Sequence, residues 1–310
     1  MGQIIKISTA GMTMEEWRAS RKNSIGGSDA ATVLGLNPWS SPYTLWAEKT
    51  GTLEPEDISK KEAVRLGHYL EPYVAERFTE ETGKRVRREN YILKNKDFPW
   101  AHANVDRLVI GEKAGLECKT TSELMMGKFK DREYPANYYC QCMHYMAVTG
   151  FEKWYLAVLI GNRDFRIFEI RRNEDEIAAL MEAEQRFWGY VKQNVPPPVD
   201  GTQSTAETLE ALYPETGGSV DLTPVCGSIR QYLALKKEIK KLEDHLELCA
   251  NTIKEHMCGA SRGSFMDIKV SWSETTTSRF DKKAFEEENP GVDLSLYSKV
   301  SKSRRFTIKE

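Results

Sequence analysis

No C-x-x-C pair occurs in the chain, and no two histidines stand at finger spacing, so neither a zinc nor an iron–sulfur site is expected. The longest apolar stretch, Trp154 to Ile160, is far too short to span a bilayer, and no membrane association is expected. Met1 to Ala10 lacks the basic start and apolar run of a secretory leader, which makes the cytoplasm the default location. A surplus of positive charge is missing too: the formal net charge is -2, which excludes a protein that coats nucleic acid by bulk attraction. Any DNA contact must therefore be local. No internal repeat of roughly 20 to 50 residues is visible.

What is present is a chain of 310 residues, 40% hydrophobic and 29% charged, enough for one large or two ordinary domains with a buried core. Its cysteines (Cys118, Cys140, Cys142, Cys226, Cys249 and Cys258) read as reduced, partly buried thiols. Cys140 and Cys142 lie two apart in an expected helix, so they point to nearly opposite faces and cannot chelate one ion. Basic clusters at Arg18/Arg21/Lys22, Lys84 to Arg88, Arg171/Arg172 and Arg304/Arg305 read more readily as solvated faces than as phosphate tracks.

Residues 1–200 read as one mixed helix and strand domain, 201–225 as a linker rich in Gly, Ser and Thr, and 226–310 as a carboxy-terminal extension. Ser41-Pro42 begins a short helix that Gly51 ends, and Lys61 to about Glu81 forms a longer one closed by Gly83. Strand-like runs follow at about Arg85 to Leu93, His102 to Ile110 and Leu116 to Thr120. A helix from about Pro135 to Val148 leads to a hairpin, Trp154 to Ile160 and Phe165 to Arg171 around Gly161-Asn162, and a last helix spans about Glu174 to Gln193. In the extension, Tyr232, Leu235, Ile239, Leu242, Leu246, Cys249 and Ile253 keep a strict three-four spacing, the seam of a coiled coil or helix hairpin. Met266 to Trp272 alternates as a strand, a short helix begins at Asp281, and Arg304 to Ile308 reads as a final strand.

The chemistry concentrates at Asp106, Glu117 and Lys119. Strand alternation puts Glu117 and Lys119 on one face and sends Cys118 to the other. If the two runs pair as a hairpin, Asp106 comes beside Glu117, giving two carboxylates and an ammonium around one point. Two hard oxygen donors suit Mg²⁺ or Mn²⁺, and such a site can hydrolyse a phosphodiester, with Lys119 holding the water or the phosphate. The competing reading is a surface salt bridge. Against it, the small and apolar neighbours Ala114, Gly115, Leu116 and Cys118 make unpaired charge expensive there.

Glu71, on the helix ahead of these strands, is a candidate third carboxylate or an exposed helix residue. Gln141, among core-like aromatic and sulfur-bearing neighbours, is either a structural cap or a group that orients the nucleophilic water. Arg21 with Ser24-Ile25-Gly26-Gly27-Ser28-Asp29 combines a basic residue, a glycine turn and a capping serine ahead of an apolar helix. That is either an ordinary capped helix or a phosphate site.

Taken in order, Arg21, Ile25-Gly26-Gly27-Ser28-Asp29-Ala30, Asn37-Pro38-Trp39, Gly67, Leu70-Glu71-Pro72, Asp106, Glu117-x-Lys119 and Gln141 resemble the YqaJ-like viral recombinase family. That group includes the phage lambda-type alkaline exonucleases of the PD-(D/E)XK nuclease superfamily. The resemblance spans about residues 15 to 175. It implies an α/β (α+β) fold, a restriction-endonuclease-like core with a central mixed sheet flanked by helices. The activity it implies is metal-dependent 5′ to 3′ digestion of one strand of duplex DNA from an end, leaving 3′ single-stranded overhangs for recombination. Asp106 and Glu117 would ligate Mg²⁺, with Mn²⁺ as a substitute, the Cys118 carbonyl would add a ligand, and Glu71 would support the metal site. Lys119 would orient the attacking water, Gln141 would sit near it, and Arg21 with Ser28 would hold the 5′-terminal phosphate. By analogy, a single-strand annealing protein is a partner, a homotrimer is the assembly, and a phage or prophage in a bacterial host is the source.

The extension is absent from minimal lambda-type enzymes. Its seam has three readings: internal packing, which is taken first, oligomerisation, or docking of a partner. Arg304 and Arg305 are candidate DNA contacts. His68 and His102 read as structural. A site-specific endonuclease of the same superfamily and a catalytically silent DNA-binding scaffold remain as alternatives. A CRISPR-associated iron–sulfur nuclease is rejected, because its four-cysteine frame is missing.

Overall fold

Caps written in the sequence set several element ends. Ser41 Oγ accepts the Thr44 N–H to open a helix with Pro42 in its first turn, and Gly51, at φ 75°, closes it in the left-handed conformation that glycine tolerates best. The computed structural model describes residues 3–130, 133–299 and 304–308. It divides the chain into two units, Met1–Pro214 and Glu215–Glu310.

The first unit begins with β1 (Ile4–Ser8), α1 (Met14–Lys22), β2 (Ile25–Gly26), α2 (Gly27–Val33), α3 (Pro42–Thr50) and α4 (Glu62–Thr82). It continues with β3 (Val86–Arg88), β4 (Tyr91–Asn95), β5 (Phe98–Ala103), β6 (Arg107–Val109), β7 (Ala114–Thr121) and α5 (Ala136–Thr149). It ends with β8 (Lys153–Ile160), β9 (Asp164–Arg171), α6 (Glu174–Gln193) and α7 (Gln203–Leu212). The expected central mixed sheet is present, in the order β3-β6-β7-β8-β9, with β7 and β8 parallel and the other neighbours antiparallel.

A second mixed sheet, β1-β4-β5-β2, lies outside the sequence reading. It arises because two expected strands each divide. The run at 85–93 breaks at Glu89-Asn90, where buried Glu89 pairs with Lys6 and Arg87, and its halves β3 and β4 join different sheets. The run at 102–110 breaks at residues 104–106, so β5 enters the second sheet and β6 the first. Asp106 therefore sits in the loop just ahead of β6.

Side-chain alternation gives the five-stranded sheet two covered faces. On one, Val74, Ala75 and Phe78 of α4 pack on Ala114, Leu116, Tyr155 and Ala157. On the other, Cys142, Met143 and Met146 of α5 pack with Trp154, Leu156, Val158 and Ile160. A Cβ on Gly115 would lie 2.1 Å from the Trp154 ring, so glycine lets the indole lie against β7. The buried helix is what brings Gln141 over the sheet.

The segment read as a linker from 201 holds α7, which the structure assigns to the first unit. Its polar residues serve contacts rather than slack: Ser204 and Thr208 hydrogen-bond Thr44, and Thr205 Oγ1 donates to Ser41 Oγ at 2.8 Å.

The second unit contains α8 (Cys226–Met257), the hairpin β10 (Arg262–Phe265) and β11 (Ile268–Ser271), and α9 (Lys282–Glu288), opened by Asp281 accepting the Ala284 N–H. The sequence reading has β11 but not its partner β10. Within the second unit the seam residues of α8 are not packed internally: they stay exposed, by 41% at Tyr232 and 71% at Leu246. Residues 304–308 carry no strand, and Phe306 instead meets Tyr232 edge to face. The described cysteines are all free thiols; Cys140 and Cys142 are buried, Cys118 half-buried, and Cys226, Cys249 and Cys258 exposed. Among the described residues no helix is long and apolar enough to cross a membrane.

Candidate active site

A cavity of about 390 Å³ opens between α4, the end of β7, α5 and the β2–α2 turn. The residues given catalytic, metal or terminal-phosphate roles from the sequence line it: Arg21, Ser28, Glu71, Asp106, Glu117, Cys118, Lys119 and Gln141.

At the β7 end, antiparallel pairing of Arg107 with Leu116 sets Asp106 alongside the next residues of β7. The Cys118 N–H donates to Asp106 Oδ2 at 2.8 Å, while the Cys118 side chain packs with the α4 cluster on the opposite face. Lys119 Nζ lies 2.6 Å from Glu117 Oε1 and 5.3 Å from the centre of the Tyr138 ring. Gln141 Nε2 donates to the same Glu117 oxygen at 2.7 Å and to Tyr145 Oη at 2.8 Å. Glu117 Oε2 is buried with no hydrogen-bond partner.

Electrostatics follow from that crowding. Burial, reinforced by the Glu117 charge, pushes the Asp106 carboxyl up to about 8. Burial likewise raises Glu117, against the pull of Lys119. Burial disfavours the Lys119 ammonium, but Glu117 and Asp106 outweigh it and hold its pKa above the ordinary lysine value. Lys119 is thus a charged donor, not a base. Buried Glu117, with one oxygen unpartnered, and half-buried Asp106 form a donor set short of positive charge, and that chemistry fits a small oxygen-loving divalent cation. Among the described residues no group of three or more His, Cys, Asp or Glu is placed to hold a metal.

The third carboxylate expected from Glu71 is committed elsewhere. Arg107 Nη1 donates to Glu71 Oε1 at 2.5 Å and to the Asp106 carbonyl at 2.7 Å, and Arg88 lies 3.8 Å from the same Glu71 oxygen. Glu71 faces the cavity as half of an ion pair that also ties down the Asp106 backbone. Sequence reading missed Arg107, because a basic residue after an acid at the start of a strand carries no distinctive signal.

At the α2 end, Arg21 Nη2 donates to Ser28 Oγ at 2.8 Å, and its guanidinium stacks 4.8 Å from the centre of the Trp17 ring. Asp29 accepts from the Gly26 N–H at 3.0 Å and from Lys49 Nζ at 2.7 Å. Lys49 also donates to the carbonyls of Arg21 and Ser24, at 2.7 and 2.8 Å. Burial raises the Asp29 carboxyl, but Lys49, Arg21 and the Gly26 N–H together bring it down to about 2. A Cβ on Gly27 would lie 2.5 Å from the Tyr145 ring, so the turn seats against α5. The helix that follows has only seven residues, which leaves Arg21 and Ser28 side chains, not a helix terminus, as the polar groups of this end.

His68 and His102 both line the cavity. His102 Nδ1 shares a hydrogen with Ser24 Oγ at 2.8 Å, and burial drives its pKa down to about 3, so the ring is neutral. Its carbonyl is 2.8 Å from His144 Nε2, and His144 is closed off by Glu184 at 2.7 Å. The other basic clusters are mostly paired: Lys84 with Glu112, Arg87 with Glu89, Arg171 with Glu169 and Arg172 with Glu174.

Comparison with known proteins gives the lineage. The model of the YqaJ-like viral recombinase domain matches residues 16–152, the segment that holds the cavity. The uncharacterized protein YqaJ of Bacillus subtilis (strain 168) is 39% identical over 308 residues, covering 96% of this chain and 95% of that protein. The chain belongs to the YqaJ family. A shorter match joins this YqaJ-family chain to protein D345L of African swine fever virus (strain Badajoz 1971 Vero-adapted), 54% identical over 35 residues, 11% of this chain and 10% of that protein. Among solved structures, the alkaline exonuclease LHK-Exo from Laribacter hongkongensis is similar at 21% identity and a TM-score of 0.49, over 58% of this chain and 94% of that one.

Proposed function

We propose that this YqaJ-family protein is a metal-dependent exodeoxyribonuclease that digests one strand of linear duplex DNA from a 5′-phosphorylated end. The observation that carries the reading is the pairing, inside one cavity, of Asp106, Glu117 and Lys119 with the Arg21–Ser28 hydrogen-bonded pair.

Asp106 and Glu117 would hold Mg²⁺, or Mn²⁺ in its place, through the oxygens that burial leaves short of positive charge, with the Cys118 carbonyl beside them. When bound, the ion supplies charge that steadies the scissile phosphate and acidifies water. Lys119 then donates hydrogen bonds, steering the attacking water and balancing charge on the phosphate. Gln141 is a positioning residue: it fixes one Glu117 oxygen and leaves the other free. Arg107 with Glu71 holds the Asp106 loop.

Arg21 and Ser28 bind the 5′-terminal phosphate, the dianion that a guanidinium and a hydroxyl recognise by charge-assisted hydrogen bonds. Each cleavage leaves a new 5′-phosphate to refill that pair, which sets the 5′ to 3′ direction. The 3′ overhang left behind is the substrate of a single-strand annealing protein, the expected partner.

The test is mononucleotide release from linear duplexes bearing a 5′-phosphate or a 5′-hydroxyl, beside a closed circle, each with Mg²⁺ and with EDTA. Digestion of linear forms only, faster with the phosphate and absent in EDTA, is the expected result. Cutting of the circle would replace this reading with an endonuclease, and no cutting of any substrate would leave a binding scaffold.

A further inference from the structure

The second unit holds a feature that the proposed chemistry does not use. Along α8, apolar side chains recur at alternating intervals of three and four from Tyr232 to Ile253, a stripe about 32 Å long. Leu235, Ile239, Leu242 and Leu246 are 49%, 55%, 67% and 71% exposed. A stripe this regular and this open on a 32-residue helix is half of a coiled-coil seam.

We infer that α8 pairs antiparallel with α8 of a second copy of this chain. The residues flanking the seam choose the occupant and its direction. In heptad terms, Tyr232, Ile239, Leu246 and Ile253 occupy one core position, and Leu235, Leu242 and Cys249 the other. An antiparallel pair centred between Lys240 and Lys241 stacks Ile239 on Leu242, Leu235 on Leu246 and Tyr232 on Cys249, each layer occurring twice by symmetry.

That register sets exposed Lys236 of one copy beside exposed Glu243 of the other, twice, and Glu238 beside His245, twice. A parallel pair would set Glu238 against Glu243 and Cys249 against Cys249. Flanking charges therefore favour the antiparallel helix and oppose the parallel one. His256 falls at the next core position, where the apolar stripe ends. This pairing stands apart from the cavity chemistry, and either can fail without the other.

Light scattering on the full-length chain after size exclusion, over micromolar concentrations, should give twice the mass of one chain. Glu243→Lys should weaken that association about tenfold, since it opposes Lys236 at two symmetric contacts, and Lys236→Glu/Glu243→Lys should restore it. In a Cys226→Ser/Cys258→Ser background, mild oxidation should leave Cys249 unlinked. A monomer at all concentrations, a trimer indifferent to Glu243→Lys, tighter association of that variant, or a Cys249–Cys249 disulfide would each overturn the inference.

Discussion

At the β7 end of the cavity, buried Glu117 and half-buried Asp106 sit together and burial pushes Asp106 up to about 8, whereas at the α2 end half-buried Asp29 is drawn down to about 2. The difference lies in the partners, not in depth. Asp29 meets Lys49, Arg21 and a backbone N–H, so its charge is compensated, and the Arg21–Ser28 pair beside it lines the cavity. Asp106 and Glu117 share Lys119 and leave Glu117 Oε2 without a partner. One end is a finished ion-pair network that presents a cation. The other is an unfinished network that a cation would complete. Stability withheld at the β7 end is what binding of a metal would return.

The largest expected effect comes from the unfinished end. Lys119→Ala removes the one donor in the cavity that the carboxylates hold charged, and nuclease turnover should fall by about 10³-fold. Circular dichroism should stay that of the wild type, because Glu117 keeps its Gln141 hydrogen bond and burial favours its neutral form once the ammonium is gone. Near-normal turnover in this variant would remove Lys119 from the mechanism.

The finished end responds in stability instead. Asp29→Asn leaves the Lys49 ammonium enclosed with two carbonyls and no counter-charge, and should cost about 3 kcal/mol in urea denaturation. Because the folded pKa of Asp29 lies below its ordinary value of 3.8, its contribution is present above about pH 4 and is lost as pH falls through about 2. The wild type should lose that increment between pH 4 and 2, and Asp29→Asn should not. Equal acid sensitivity of the two proteins would refute the compensation.

How much of this contrast can be read from the sequence depends on how local each contact is. Strand alternation alone puts Glu117 and Lys119 on one face, and a hairpin brings Asp106 beside them. Arg21 and Ser28 stand out because a basic residue, a glycine turn and a serine lie within eight residues. Lys49 does not stand out: its bond to Asp29 depends on how α3 packs against α2, which no local pattern encodes. Arg107 is missed for the same reason, and with it the fact that Glu71 is already paired. Glu89-Asn90 and Asn104-Val105-Asp106 carry residues that strands disfavour, a local signal of the two breaks, but which sheet each half then joins is set only by tertiary pairing. The α8 seam is fully visible as a pattern, but periodicity does not say whether the stripe is covered from within the chain or from outside it.

Neutralising the β7 end should act opposite in sign to neutralising the α2 end. Asp106→Asn keeps the size of the side chain and an oxygen for the Cys118 N–H, and it spares the folded protein the proton that a carboxyl raised to about 8 must take up at neutral pH. Without metal at neutral pH, the variant should be stabilised by about 1 kcal/mol, a rise in Tm of about 3 °C. Added Mg²⁺ should raise the Tm of the wild type and leave that of Asp106→Asn unmoved. A variant less stable than the wild type in EDTA would mean that the carboxylates are not strained against each other.

The narrowest effect, confined to one kind of DNA end, sharpens the comparison most, because it asks whether the finished end recognises anything. Arg21 touches exposed Ser28 and the half-buried Trp17 ring, a hydrogen bond and a cation–π contact that are each worth little so near solvent. Removing the guanidinium should therefore disturb the fold little, with Asp29 still held by Lys49. On a duplex with a 5′-phosphate, Arg21→Ala should slow digestion about tenfold, the loss expected for one charge-assisted hydrogen bond to a dianion. On a 5′-hydroxyl duplex the same variant should match the wild type, because the group that Arg21 would hold is absent. Slowing on both ends alike would make Arg21 a general DNA contact, whereas a preference for the phosphate that survives the substitution would move the anchor to another part of the cavity.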